Sequence, residues 1–169
     1  VYTIKMPING TQHVTIQGFE AGAQLGLDFL PGLLGNLGVT ANYTFNTDSG
    51  YEGKDYFTGA SLPFPGVSRN SYNASVFYDD GHFAIRGSYN WRSRYLINAV
   101  DRGNNPSFGE AFGQFDASAS YIINPHVSVF LEGVNLTDST RIENANSVYR
   151  RNVIETYGRR IYFGVRAKL

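Results

Sequence analysis

The sequence predicts an all-β protein whose antiparallel strands cross a membrane as a β-barrel. Three observations carry that expectation. Segments of alternating apolar and polar residues recur with period two along the chain. The connections between them are alternately short and long. Wherever a segment carries charge, the charge lies on its polar face.

The first clear segment runs from Phe19 to Phe29. Its odd positions are Phe19, Ala21, Ala23, Leu25, Leu27 and Phe29, and its even positions include Glu20, Gln24 and Asp28. A turn at Leu30-Pro31-Gly32 leads to Val39, Ala41, Tyr43 and Phe45, which alternate with Gly38, Thr40, Asn42 and Thr44. A polar stretch rich in Gly and Pro, about 46–70, separates this strand from Tyr72, Ala74, Val76 and Tyr78. The turn Asp79-Asp80-Gly81-His82 then returns the chain through Phe83, Ile85, Gly87, Tyr89 and Trp91. After a long loop, about 97–112, Phe115, Ala117, Ala119 and Tyr121 oppose Gln114, Asp116, Ser118 and Ser120. Asn124-Pro125-His126 is a short turn into Val127, Val129 and Leu131. A third long loop, about 137–157, precedes the last strand, Ile161 to Leu169. Val1 to about Met6 is strand-like already, so a partial eighth strand is expected and the start reads as a cut.

Hairpins joined in this way gather the short turns (about 30–37, 79–82 and 124–126) at one end and the long loops at the other. Membrane barrels of the outer-membrane type have this asymmetry, with short turns periplasmic and long loops extracellular. A soluble sandwich also alternates in polarity. Here, though, Glu20, Asp28, Arg86, Arg92, Arg94, Asp116, Glu132, Arg160, Arg166 and Lys168 share the polar faces, and the apolar faces carry no charge. Aromatic residues gather toward both strand ends. Phe29, Tyr78, Phe83 and Tyr121 lie by the short turns, and Tyr43, Phe45, Tyr89 and Trp91 toward the long loops, as two interfacial girdles require. The strands also have the ~9–11 residues that a tilted membrane strand needs.

Composition narrows the function classes. The chain has 169 residues, no Cys and a formal net charge of zero, so it offers no thiol chemistry and no electrostatic footprint for nucleic acid. Mean hydropathy is −0.26, near neutral as expected of strands that show half their residues to lipid. No apolar run reaches the ~20 residues of a membrane helix, and no signal peptide is evident.

Several segments resemble the C-terminal half of TonB-dependent outer-membrane transporters. They are Ile16-Gln17-Gly18-Phe19-Glu20 leading into Leu30-Pro31-Gly32, Ala41-Asn42-Tyr43-Thr44, and Tyr89-Asn90-Trp91-Arg92-Ser93-Arg94-Tyr95. More specific are Glu132-Gly133-Val134-Asn135-Leu136-Thr137-Asp138 and the ending Gly158-Arg159-Arg160-Ile161-Tyr162-Phe163-Gly164-Val165-Arg166-Ala167-Lys168-Leu169. The resemblance implies about the last eight strands of a 22-stranded barrel, its N-terminal plug and energy-coupling box lying outside this chain. The family usually ends in Phe. Leu169 departs from that but keeps a large apolar terminus, so the assembly signal reads as weakened but present.

No catalytic constellation, cofactor site or metal site stands out, and an enzyme is not expected. His13, His82 and His126 are isolated and read as surface or turn residues. Asp79-Asp80 is first a turn former. The Asn-x-Ser/Thr triplets at Asn9, Asn42, Asn73 and Asn135 mostly fall in strands, where glycosylation is not expected. Substrate-binding candidates are Arg92, Arg94 and Asn90 near the long-loop end, with Tyr51, Tyr56 and Arg102 in the loops. Planar guanidinium donors suit carboxylates, and Tyr51 and Tyr56 could stack on a sugar or an aromatic chelator. The plainer reading pairs the arginines with lumen carboxylates such as Asp116, or with the plug, because an unpaired charge in a confined lumen is costly. For the loop aromatics, loop packing is the plainer role. Glu20, Asp28, Arg86, Asp116, Glu132 and Arg166 are expected to face the lumen and plug.

The resemblance implies active uptake of a scarce nutrient: an iron chelate, cobalamin, a saccharide or similar. The expected partners are the lipid bilayer, the protein's own plug and remaining strands, the TonB complex and a small-molecule substrate, with no nucleic acid. The competing expectation is a self-contained eight-stranded barrel in an anchoring or adhesion role. Its interior would be just filled by side chains.

Overall fold

The computed structural model describes residues 13–168. The expected strand at Val1–Met6, the Asn9 triplet and Leu169 lie outside the described residues. In chain order the strands are β1 (Thr15–Gly26), β2 (Leu37–Ser49), β3 (Asn70–Asp79), β4 (Phe83–Arg92), β5 (Tyr95–Asn98), β6 (Ser107–Gly109), β7 (Phe112–Asn124), β8 (Val127–Val134), β9 (Thr140–Asn144), β10 (Arg151–Thr156) and β11 (Arg160–Ala167). Seven of them form one antiparallel sheet in the order β1-β2-β3-β4-β7-β8-β11. These are the seven complete strands that the alternation predicts. Within the described residues β1 and β11 do not pair, so the sheet is an open arc.

Register makes the two-faced pattern continuous across the sheet. One rung reads Leu25–Val39–Val76–Gly87–Ala117–Gly133–Ile161. One residue further along each strand, the rung on the opposite face reads Gly26–Gly38–Phe77–Arg86–Ser118–Glu132–Tyr162. A slip of one residue in β1, β4, β7, β8 or β11 would place charges among the apolar rungs, so the pattern pins the register.

Among the described residues the sheet has no second layer. The chain keeps 11977 Å² of accessible surface, against roughly 8,300 Å² for a globular monomer of its mass. Phe19, Leu25, Val76, Leu131, Ile161, Phe163 and Val165 are all about half exposed or more. Among the described residues no helix is long and apolar enough to cross a membrane. A single-layer sheet with one uncharged face is what a lipid-facing wall requires, since the five strands between β1 and β11 are paired by neighbours on both sides.

The aromatic residues sit at the two ends of the apolar face. Toward the long loops, Tyr72 stacks on Trp91 at 5.2 Å and Phe19 meets Tyr43 at 5.9 Å. Toward the short turns, Tyr78 meets Phe83 at 6.2 Å. Their polar tips reach outward: Tyr43 Oη donates to Asn70 at 2.7 Å and Tyr78 Oη to Asp80 at 3.2 Å. Trp91 and Phe83 are eight positions apart on β4, about 26 Å along a strand. At a ~40° tilt this is roughly 20 Å, near the height of a barrel's apolar band.

Three details depart from expectation. β1 begins at Thr15 and stops at Gly26, because Leu27 N–H bonds to Leu37 and the chain turns through a 3-10 helix at Gly32–Asn36. Asp28 therefore stands in a turn and not on a strand. The loops expected at about 97–112 and 137–157 contain strands: β5, β6, β9 and β10 form a second sheet in the order β10-β9-β6-β5. These strands are three to six residues long, too short to register as period-two runs. Finally, the buried apolar residues Leu62, Leu96 and Ala145 lie in the three long connections, so the packed core caps one end of the sheet.

Candidate functional site

Three connections of about 20 residues or more build the cap. Gly66 N–H bonds to the carbonyl of Leu96, which is completely buried. Asn144, also buried, donates to Glu110 Oε1 at 2.8 Å, and the same oxygen accepts from Arg94 Nε at 3.0 Å. Arg150 donates to Asn105 at 3.1 Å and Asn146 at 3.3 Å, clasping the second loop to the third. Beneath the cap lies a cavity of about 750 Å³ bordered by Asp48, Asp55, Arg69, Arg94, Tyr95 and Phe108.

The polar face runs on below this cavity. Rungs of Glu20–Thr44–Ser71–Arg92 and Asn42–Asn73–Asn90–Gln114 together span five strands and line a pocket of about 380 Å³. Nearer the short turns, Arg86, Phe77, Phe130, Glu132 and Arg166 border a third pocket of about 430 Å³. Two glycines here permit a close aromatic approach. A Cβ on Gly38 would stand 2.2 Å from the Phe77 ring, and one on Gly164 equally close to Phe130. Each ring carries a guanidinium: Arg86 over Phe77 at 5.6 Å and Arg166 over Phe130 at 6.0 Å.

The expected binding residues separate into distinct groups. Arg92 is committed to the cap: Nε donates to Ser68 Oγ at 2.8 Å, Nη2 to the Gly66 carbonyl at 3.2 Å, and its plane lies 3.8 Å over Tyr95. Arg94 pairs with Glu110 and stacks 3.8 Å over Phe108. Asn90 is exposed in the amide rung. Tyr51 packs edge-on against Phe64 at 5.5 Å, and Tyr56 against Phe57 at 5.1 Å, with both of the latter pair exposed. Arg102 is exposed in the loop of the second 3-10 turn. Glu20, Arg86, Asp116, Glu132 and Arg166 stand on the polar face. Arg86 and Asp116 border one pocket but form no ion pair, because Asp116 takes other partners.

Those partners give the Asn-Leu-Thr-Asp segment its mechanics. Asp116 Oδ1 accepts from Asn135 N at 2.8 Å and Gln114 Nε2 at 2.7 Å. Asn135 is buried with φ of 57°, a left-handed conformation that Asn tolerates better than most residues. Its side chain accepts from Ser139 N and donates to the carbonyls of Ser139 and Gly158. One asparagine thus ties the end of β8, the following loop and the approach to β11 together. Leu136 folds back over Gly133, where any Cβ would meet it at 2.7 Å.

The sequence reading missed Arg69, Glu110 and Asn135 as positioned groups. Arg69 lies 5.4 Å over Phe45, a contact made by the β2–β3 pairing. No local spacing signals it, whereas the left-handed preference of Asn at a strand end would have flagged Asn135. Electrostatics in the cap centre on Arg141, which pairs with Glu143 at 2.6 Å and Glu155 at 2.8 Å. Partial burial pulls its pKa down, but hydrogen bonds with Tyr95 and Glu155 outweigh this and raise it. The Tyr157 hydroxyl and Arg141 hold the Glu155 carboxyl below its ordinary range, and Glu155 raises Tyr157 in turn. Among the described residues no group of His, Cys, Asp and Glu is placed to hold a metal ion.

An open single-layer sheet, uncharged on one face and polar on the other, with girdles and a capped end, defines part of a transmembrane β-barrel wall. The sequence profile of the TonB dependent receptor-like β-barrel matches residues 5–136, and the chain belongs to that family. Its fold is similar to the crystal structure of the siderophore receptor PiuA from Acinetobacter baumannii. The TM-score is 0.65 at 17% identity, over 92% of this chain and 22% of that one. The chain thus spans less than a quarter of that receptor's length. No curated protein matches the chain.

Proposed function

We propose that this chain is the C-terminal part of the barrel of an outer-membrane receptor for active uptake of a scarce nutrient. In this reading the capped end, with loops 50–69, 93–111 and 135–159, faces outward, and the short turns face the periplasm. The polar face lines the lumen against a plug carried elsewhere in the protein, and energy arrives through the TonB complex. The observation that carries the reading is the cavity under the cap, bordered by Asp48, Asp55, Arg69 and Arg94, at the end of a wall with polar rungs on one face and no charge on the other. The resemblance to a siderophore receptor favours an iron chelate among the nutrients this family takes up. The rigid sheet serves as housing, and ligand contact falls to the cap.

Arg92 fits loop support in this reading, since its Nε and Nη2 donate to Ser68 and Gly66 of the first long loop. Arg94 and Asn90 keep free donors and remain the binding candidates. The test is to isolate the intact protein from outer membranes and measure its mass and its uptake of labelled chelates. A polypeptide several times longer than 18.7 kDa that needs TonB for uptake is expected. A native polypeptide of 18.7 kDa, with no uptake, would instead be the small anchoring barrel.

A further inference from the structure

The turn between β1 and β2 is unlike the other two turns at its end of the sheet. Asp79-Asp80-Gly81-His82 and Asn124-Pro125-His126 are polar. The β1–β2 turn reads Phe29-Leu30-Pro31-Gly32-Leu33-Leu34-Gly35-Asn36-Leu37 and carries no charge. Phe29 is 70% exposed, Leu33 74% and Leu34 52%, so three large apolar side chains stand uncovered close together in the chain. Turns that face water favour Gly, Asn, Asp and Ser. A contiguous exposed apolar patch marks a contact surface.

The patch has a fixed shape. Leu27 N–H bonds to the carbonyl of Leu37 at 2.8 Å, and Leu30 N–H to that of Leu27 at 2.8 Å. Leu37 N–H closes the 3-10 helix on Leu34. A Cβ on Gly35 would come within 3.0 Å of the Leu30 carbonyl, so only glycine lets the turn fold this tightly. The exposed side chains sit on a backbone that is already ordered, and covering them costs little further conformational entropy.

We propose that this turn is an interfacial foot, lying in the headgroup layer of a phospholipid bilayer on the short-turn side of the wall. Two placements select lipid as the occupant. Leu37 pairs with Tyr78, so residues 29–36 lie beyond the girdle of Tyr78 and Phe83. The headgroup layer continues roughly 5–8 Å past the hydrocarbon on each side. The turn is also tied to the apolar side of the sheet, since Asn36 Nδ2 donates to Tyr78 Oη at 3.3 Å. It thus continues the uncharged face past the rung of Leu37, Tyr78 and Ile85. A plug would meet the opposite, polar face. Asp28, just outside the patch, is exposed and stays in water, so no charge enters the interface. The inference needs the membrane wall but not the uptake reading.

The test uses the full-length protein, otherwise free of cysteine, in vesicles of phosphatidylethanolamine and phosphatidylglycerol. Leu33→Cys carries an environment-sensitive fluorophore, and His82→Cys in the polar neighbouring turn is the control. The label at 33 is expected to emit to the blue of the label at 82. It should lose most of its intensity to lipid bearing a shallow nitroxide, which leaves 82 largely unquenched. Leu34→Glu in the labelled protein should return the emission of 33 toward that of 82. Retained heat-modifiable migration on gels would show that the variants fold. A label at 33 as wet and as unquenched as that at 82 overturns the proposal. So does a blue-shifted label that nitroxide lipid fails to quench, because another part of the protein then covers the turn. Uptake of labelled chelate by the same variants is read separately. Quenching at 33 without uptake leaves the foot standing and the uptake reading fallen, and uptake without quenching has the reverse meaning.

Discussion

A single arginine placed on either face of β3 separates a membrane wall from a soluble sheet. Val76 lies in the seven-strand apolar rung, opposite Gly87, midway between Phe83 and Trp91 on β4. That puts it about 13 Å along the strand from either aromatic belt, close to the centre of the apolar band. Its side chain is 56% exposed, with no protein layer above it. Val76→Arg would place a guanidinium at mid-depth in hydrocarbon, which costs about 2–4 kcal/mol in barrels of this kind. The folded-to-unfolded ratio should fall roughly 30- to 900-fold. Ser75 is one residue away on the polar face, between Thr40 and Ser88. Ser75→Arg should cost less than about 1 kcal/mol, since a polar-face arginine stays in a wet lumen. Urea unfolding of the full-length protein in lipid vesicles, read by heat-modifiable migration, gives both values. Equal costs for the two, or a Val76→Arg cost under about 1 kcal/mol, would refute the assignment of faces.

Three further outcomes follow from contacts in the fold. Gly38→Ala would drive a methyl into Phe77, at a cost of about 1–3 kcal/mol in the same urea assay, and Phe77→Ala in the same chain should relieve the clash. Asn135→Ala leaves the Ser139 N–H and two carbonyls short of partners and strains a left-handed residue. A loss of about 2–4 kcal/mol is expected, with new protease cleavage between residues 136 and 159. Unchanged cleavage would show that Asn135 does not tie the loop. The pH window of the β9–β10 hairpin is set by Glu155 and Tyr157. Glu155 is lowered, so its stabilisation is present above the ordinary carboxylate range and lost as pH falls through its folded pKa. Tyr157 is raised, so its stabilisation holds below about pH 10 and is lost as pH climbs through its folded pKa. Hydrogen-exchange protection of residues 151–156 should fall at both extremes, and Tyr157→Phe should shift the acid limb upward.

Strand placement was legible because lipid imposes a simple demand. Tyr72, Ala74, Val76 and Tyr78 must all meet hydrocarbon, so the period-two pattern is strict, and β3 and β4 follow it residue by residue. The cap follows no such demand. β5, β6 and β9 carry Leu96, Ser107 and Asn144, all buried through contacts between loops distant in sequence, and the local patterns of β5, β6, β9 and β10 are mixed. The candidate site was half legible for the same reason. Arg92 and Arg94 stood out as paired arginines at a strand end, but their different partners, Ser68 and Gly66 for one and Glu110 for the other, come from separate loops.

By itself the sequence determined the all-β class, the seven complete strands, which face of each is uncharged and at which end the long loops gather. Alternation is a local property, so every strand declares its own two faces. Tertiary structure alone decided that the long loops fold into a second sheet with a buried core. It also decided that Asp116 holds Asn135 and not Arg86, which lies over Phe77, and that Arg69 and Arg94 border one cavity. Those outcomes depend on which polar groups meet across connections of about 20 residues, and such meetings are fixed by register and loop packing, not by the neighbours of any residue in the chain.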